Sequence, residues 1–215
     1  MSATGSATAQ QLAELARLGS ATVYEAGGRG GYVDADLHQA VPGSRAAGPA
    51  RTVICDQDDN LMVHAVMTEV QPGEVLVLTM PEPRPVALVG DLLATQAQVA
   101  GAAAILIDAA IRDVEELAEM GLPIWARWVR VKGARKQTAG AINVPVTVGG
   151  ARINPGDVLV LDADGVAVVG QDRVAEALEA SLAREERERI KREQLRTGAK
   201  SYDLDGLRAV VEAQR

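Results

Sequence analysis

The stretch "GDLLATQAQVAGAAAILIDAAIRD", residues 90–113, is a run of small apolar residues with charges only at its two ends. Asp91 stands where a helix N-cap belongs, and the apolar spacing predicts a helix to about Ala100, ended by Gly101. "AAILID" then reads as a short buried strand over 104–108. A further strand is expected upstream at 75–80, after the Pro72-Gly73 turn, so the unit is a βαβ crossover. The helix runs back against both strands. Ten helical residues span roughly 15 Å, and five strand residues return about 17 Å. Gly90-Asp91 and Arg112-Asp113 should therefore face each other across a crevice outside the carboxyl ends of the strands, a favoured place for a ligand. The plainer alternative makes Asp91 a simple cap and Arg112-Asp113 a surface turn.

Outward from this unit, residues 7–19 read as an amphipathic helix with Leu12, Leu15 and Leu18 on one face. "GSATVYEAGGRGG" follows; its glycines lack phosphate-loop spacing and read as a turn. Thr52–Cys55 is expected to be a strand and the segment after Asn60 a helix, in which His64 reads as structural. "MPEPRP" is a proline-rich loop. "INVPVTVGG" and "GDVLVLDADGVAVV" read as strands, the second as a hairpin around Asp164-Gly165. From Asp172 a helix shows an apolar stripe through Val174, Leu178 and Leu182, then continues as "AREERERIKREQLR", polar nearly all round. That extension is either solvated, with pairs such as Glu185–Arg189 and Glu188–Arg192, or an arm reaching a neighbouring subunit. The expected fold class is α/β, with an α/β domain over 1–170 and a C-terminal helical arm over 171–215.

Composition narrows the function. A chain of 215 residues with 47% hydrophobic but only 2% aromatic residues builds one domain with a core of Ala, Val, Leu and Ile. The net charge of −7 argues against a nucleic-acid groove. Cys55, the single cysteine, excludes an internal disulfide and reads as an inert core residue. The first ten residues show no signal-peptide pattern, and no apolar run reaches the roughly 20 residues of a membrane span. A cytoplasmic protein with neither nucleic-acid nor membrane partners is expected.

The chemistry at the two polar ends is specific. The amides of Leu92 and Leu93 at a helix N-terminus are unpaired donors suited to an anion. Arg112 adds a planar cation that fits a carboxylate. Asp113 offers a hard oxygen ligand, and Mg²⁺ takes only one or two protein carboxylates. Together with Gly90 these groups would hold a 2-oxo acid, and Asp91 could orient a water as base or acid.

The whole-chain order of "ATVYEAGGRGGY", "DQDDNLMVHAV", "QPGEVLVL", the G-D-(x20)-R-D stretch, "GLPIWARWV", "INVPVTVGG" and "NPGDVLVLDADGVAVV" resembles the divalent-metal-dependent class II pyruvate aldolases. Those enzymes cleave 4-hydroxy-4-methyl-2-oxoglutarate and 4-carboxy-4-hydroxy-2-oxoadipate; the ribonuclease E activity regulator A proteins are related. The resemblance implies a swivelling β/β/α-type, phosphohistidine-domain-like fold, assembled as a homotrimer or homohexamer with sites between subunits. It further implies a carbon–carbon lyase with oxaloacetate decarboxylase side activity and Mg²⁺ or Mn²⁺ as cofactor. Carried across, Arg112 stabilises an enolate, Asp113 anchors the metal, Asp91 orders water, and Glu188 comes from the adjacent subunit. Lys136 and Glu25 line the pocket, and Asp108 orients Arg112. The chain departs from the family at Ala109, where glycine is usual, and in its tail "SYDLDGLRAVVEAQR". Three alternatives stand beside this reading: a Schiff-base aldolase using Lys132, Lys136, Lys191 or Lys200, a non-enzymatic regulator of an RNA-processing enzyme, and a biosynthetic lyase on another 2-oxo acid.

Overall fold

The computed structural model describes residues 7–214, so residues 1–6, on which part of the signal-peptide reading rests, lie outside it. It opens with two short helices, α1 (Ala9–Leu18) and α2 (Ser20–Ala26). Thr8 caps α1: its side chain accepts from the Gln11 N–H at 3.2 Å while its own N–H donates to the Gln11 side chain at 2.9 Å. The helix expected over 7–19 stops at Gly19, and helix α2 follows where only a turn was expected. Gly19 has φ +86°, and Ser20 is held by the buried Asp162 carboxylate, which accepts its N–H at 2.8 Å.

Next come β1 (His38–Gln39), β2 (Ala46–Ile54), α3 (Leu61–Val66), β3 (Val75–Thr79), β4 (Ala87–Val89), α4 (Asp91–Val99) and β5 (Ala104–Ile111). After these follow α5 (Val114–Met120), β6 (Ile124–Val129), β7 (Ala141–Ile142), β8 (Val146–Val148), β9 (Ala151–Ile153), β10 (Val158–Asp162) and β11 (Gly165–Val169). Strand order in the main sheet is β1-β6-β5-β3-β2-β10-β11, with β4 beside β5 and β7 beside β2. Pairs β2·β3, β3·β5, β4·β5 and β5·β6 are parallel. The expected hairpin is present, Asp162 pairing with Gly165.

Strands β3 and β5 are buried at every residue, as crossover strands covered on both faces must be. Their alternate residues supply two cores. Leu76, Leu78, Ile105 and Ile107 face α3, α4 and α5, whereas Val75, Val77, Ala104 and Leu106 pack against Trp125, Val148, Ile153 and Leu159. The architecture is a single mixed α/β domain.

The chain ends in α6 (Val174–Arg196), α7 (Ser201–Leu204) and α8 (Leu207–Glu212). Val174, Ala177 and Ser181 bury the start of α6 against α1 and α2. The expected pairs within its charged half are replaced: Glu185 binds Arg17 of α1 at 2.6 Å, and Glu188 binds Arg184 at 2.7 Å. Beyond them Ile190, Leu195, Leu204, Leu207, Val210 and Val211 are exposed. Among the described residues no helix is long and apolar enough to cross a membrane.

Candidate active site

Gly90 and Arg112 meet because two neighbouring parallel strands end together. In the register of β4 and β5, Val89 pairs with Ile111, and the Arg112 N–H donates to the Val89 carbonyl at 3.1 Å. The expected meeting is present, but its basis differs from simple length matching: β5 runs to Ile111 rather than Asp108, and the three-residue β4 aligns the ends directly.

Capping of α4 also differs. Gly90 is the N-cap, Asp91 is the first helical residue, and the capping carboxylate is that of Asp113, whose Oδ2 accepts the Asp91 N–H at 3.2 Å. The same oxygen lies 3.4 Å from Arg112 Nε. Asp113 occupies the left-handed region, φ +57°, as the N-cap of α5 two residues after β5 ends, and its side chain lies back across Gly90. Gly90 itself is extended, φ −132° and ψ −168°. Glycine permits this close approach, because a Cβ would overlap Asp113 Oδ2 and lie 3.1 Å from Arg112 Cγ and Nε. Gly133 gives Arg112 room on the other side; a Cβ there would lie 3.0 Å from Nη1.

A cavity of about 120 Å³ opens at this point, lined in part by Gly90, Asp91, Leu92, Leu93, Arg112, Gly133 and Lys136. The amides of Leu92 and Leu93 have no acceptor among the described residues, as the first turn of a helix requires. Two further liners carried no signal as site residues in the sequence. Asn60 donates from Nδ2 to the Leu88 carbonyl at 2.9 Å, leaving its buried Oδ1 without a partner; the buried Nε2 of His64 is likewise unpaired. Burial, reinforced by the Lys136 charge, pushes the His64 imidazole below its ordinary pKa, so it is held neutral.

Asp59 assembles these parts. Its buried carboxylate accepts the Leu61 N–H at 2.8 Å, the Gln137 N–H at 2.8 Å and the Thr138 N–H at 3.1 Å. Burial pushes this carboxyl up, but the three amide donors outweigh it and hold it below the usual range. Asn60 N–H donates to the Arg135 carbonyl at 2.8 Å, and Arg135 N–H to the Asp58 carbonyl at 2.9 Å. The loop before α3 and the loop carrying Lys136 are thereby stitched together.

Three candidates fall elsewhere. Asp108 does not orient Arg112: it is four residues back along an extended strand, about 13 Å, and ion-pairs instead with Arg127 on β6. Glu25 and Glu188 do not line the cavity of their own chain and both pair with Arg184, at 3.8 and 2.7 Å. Among the described residues no three His, Cys, Asp or Glu side chains form a metal cage. Asp113 Oδ1 accepts no hydrogen bond among the described residues, and the Asp91 backbone N–H donates to the other oxygen, Oδ2. This donor set fits a hard cation such as Mg²⁺, which keeps waters and takes one or two carboxylates, and does not fit Zn²⁺.

A family model described as RraA-like, Aldolase/RraA, matches residues 16–168. The chain belongs to that family. It is 33% identical over 168 residues to a protein of Halalkalibacterium halodurans named "Putative 4-hydroxy-4-methyl-2-oxoglutarate aldolase", covering 78% of each. Among solved structures it is similar to Streptomyces coelicolor RraAS2, described as an unusual member of the RNase ES inhibitor RraA protein family. That match has 31% identity, TM-score 0.77, and covers 87% of this chain and 98% of the other. An uncharacterized Pseudomonas syringae protein aligns at 26% identity and TM-score 0.81 over 93% and 94%.

Proposed function

We propose that the protein is a carbon–carbon lyase that cleaves 4-hydroxy-2-oxo acids, 4-hydroxy-4-methyl-2-oxoglutarate or 4-carboxy-4-hydroxy-2-oxoadipate, to pyruvate and a second 2-oxo acid. Oxaloacetate decarboxylation is the companion activity, since it passes through the same enolate. One observation carries this reading: unpaired helix amides, Arg112 and two orphaned buried polar atoms converge on one cavity beside Asp113.

In this mechanism the Leu92 and Leu93 amides and Arg112 bind the substrate carboxylate. Asp91, through a water, takes the proton of the C4 hydroxyl. The C3–C4 bond breaks, C4 becomes the carbonyl of the departing 2-oxo acid, and the electron pair passes into the pyruvate enolate. Arg112 stabilises the enolate charge, by analogy with a preorganised oxyanion donor. Protonation at C3 releases pyruvate. Asp113 would hold Mg²⁺ or Mn²⁺, which when bound supplies Lewis-acid polarisation of the 2-oxo oxygen.

The arm over 171–215 packs on a neighbouring protomer in this reading, bringing Glu188 to that protomer's site in a homotrimer or homohexamer, with Glu25 of α2 as a pocket-lining residue. The exposed apolar residues of α6 to α8 support it. A swivelling, phosphohistidine-domain-like arrangement is the corresponding fold assignment.

The test is pyruvate release from several 4-hydroxy-2-oxo acids with millimolar Mg²⁺, with EDTA, and in Asp113→Ala. Activity is expected to vanish with EDTA and return with Mg²⁺; undiminished turnover in Asp113→Ala would sink the metal assignment. Lys136 lines the cavity, so borohydride trapping of substrate on it would instead establish a Schiff base. The likeness to RraAS2 favours a second reading, a regulator binding an RNA-processing partner. Capture of a ribonuclease without turnover of any 2-oxo acid would establish it.

A further inference from the structure

Arg112 borders two depressions. One is the cavity at the α4 N-terminus; the other is an open hollow of about 340 Å³ lined by Arg112, Asp113, Val129, Arg130 and Val131. The second follows from the sheet. Ile111 pairs with Val129, and the Arg130 N–H donates to the Ile111 carbonyl at 2.9 Å, so Arg130 leaves β6 beside the point where Arg112 leaves β5. Adjacent strands lie about 4.8 Å apart. Arg130 is exposed, its Nη1 bonds only the Val129 carbonyl at 2.7 Å, and no carboxylate among the described residues pairs with it. Two guanidinium groups thus flank the hollow, whose one acidic side chain is Asp113. Asp113 already pairs with Arg112 at 3.4 Å, so among the described residues Arg130 is the guanidinium of the two left without a counter-charge.

We propose that Arg130 is a specificity-determining residue that binds a second carboxylate on the substrate. Resting on the 2-oxo acid lyase reading above, the substrate straddles Arg112: its 2-oxo acid end lies in the cavity against the Leu92 and Leu93 amides, and its far carboxylate lies in the hollow on the Arg130 fork. Guanidinium supplies two parallel N–H donors to a carboxylate, which an uncharged substrate end cannot use. The exposed Val129 and Val131 line the hollow beside it and give the intervening carbons an apolar wall.

The experiment is calorimetric binding, with Mg²⁺ and the full chain, of two ligands of equal length: 2-oxoglutarate and 2-oxopentanoate, which differ in the far carboxylate. The wild type should prefer 2-oxoglutarate by about tenfold, as one charge-assisted pair at a half-open site permits. Arg130→Gln should reduce the preference below about threefold by weakening 2-oxoglutarate alone, and Arg130→Lys should restore part of it. An equal preference in wild type and Arg130→Gln overturns the proposal, as does failure of the wild type to bind either ligand. Equal weakening of both ligands with a changed mass in light scattering also overturns it, placing Arg130 in a subunit contact. If the preference responds as expected while no hydroxy-oxo acid releases pyruvate, Arg130 keeps its role and the lyase reading falls.

Discussion

Substituting Gly90→Ala separates contact from conformation. Its φ of −132° and ψ of −168° suit any residue, so the backbone alone predicts a gain of about 0.4–1 kcal/mol from a less flexible unfolded chain. The added Cβ would occupy the space of Asp113 Oδ2 and press on Arg112 Cγ and Nε. Asp113 can swing away, because the obstructed atom is the end of a short side chain. In doing so it abandons the Asp91 N–H, a cap worth about 1 kcal/mol. Gain and loss nearly cancel, and unfolding stability should stay within about 1 kcal/mol of wild type. Activity should not survive so well. Arg112 and Asp113 are the displaced groups, and a displacement of about 1 Å at reacting groups can cost roughly 10²-fold. Urea unfolding and pyruvate release, measured on the same preparation, give both readings. Turnover within about threefold of wild type would refute the claim that Gly90 is there to let Asp113 and Arg112 close over it.

Three further outcomes follow from buried groups. Arg127→Ala should destabilise the fold by about 3–5 kcal/mol at neutral pH, because it leaves the buried Asp108 carboxylate unpaired. Burial already pushes the Asp108 pKa up, with Arg127 opposing it, so the loss should shrink as acid protonates the group; a loss independent of pH would refute this. For His64 the folded pKa is lowered, so the unfolded chain takes up the proton first, and stability should decline as pH falls below about 6.5. Denaturant midpoints between pH 7 and 5 should fall more steeply in wild type than in His64→Gln, and parallel curves would show that His64 is not the group responsible. Cys55, with its thiol pushed up to about 12 by burial, should react with alkylating reagents at pH 8 only after unfolding; rapid labelling of the native chain would contradict its burial.

The sequence carried the crossover at residues 75–113 because crossover physics is local: turn residues, an apolar run and a helix of matching length suffice to bring its ends together. Its details were less legible. Strand β4 has three residues, too few to show a period, yet its register with β5 aligns Gly90 with Arg112. Asp91 reads as a cap because Asp favours that position, whereas the cap comes from Asp113, 22 residues away, through a left-handed backbone turn that spacing does not reveal.

Asn60 and His64 were harder still. Their place at the cavity depends on Asp59 accepting amides 78 and 79 residues further along the chain, so nothing in the local pattern separates His64 from a structural histidine. What distinguishes it is a three-dimensional fact, a buried nitrogen left without a partner and facing Lys136 across the same cavity. The residues legible from spacing lie within one crossover; Lys136, on another loop, is reached only through the family resemblance, and Asn60 and His64 are reached by neither. A carboxylate such as Asp59, which touches no ligand, can therefore decide how well the site is held: Asp59→Ala would leave the Leu61, Gln137 and Thr138 amides unsatisfied, with the Lys136 loop tied to the Asn60 segment only through the Arg135 backbone.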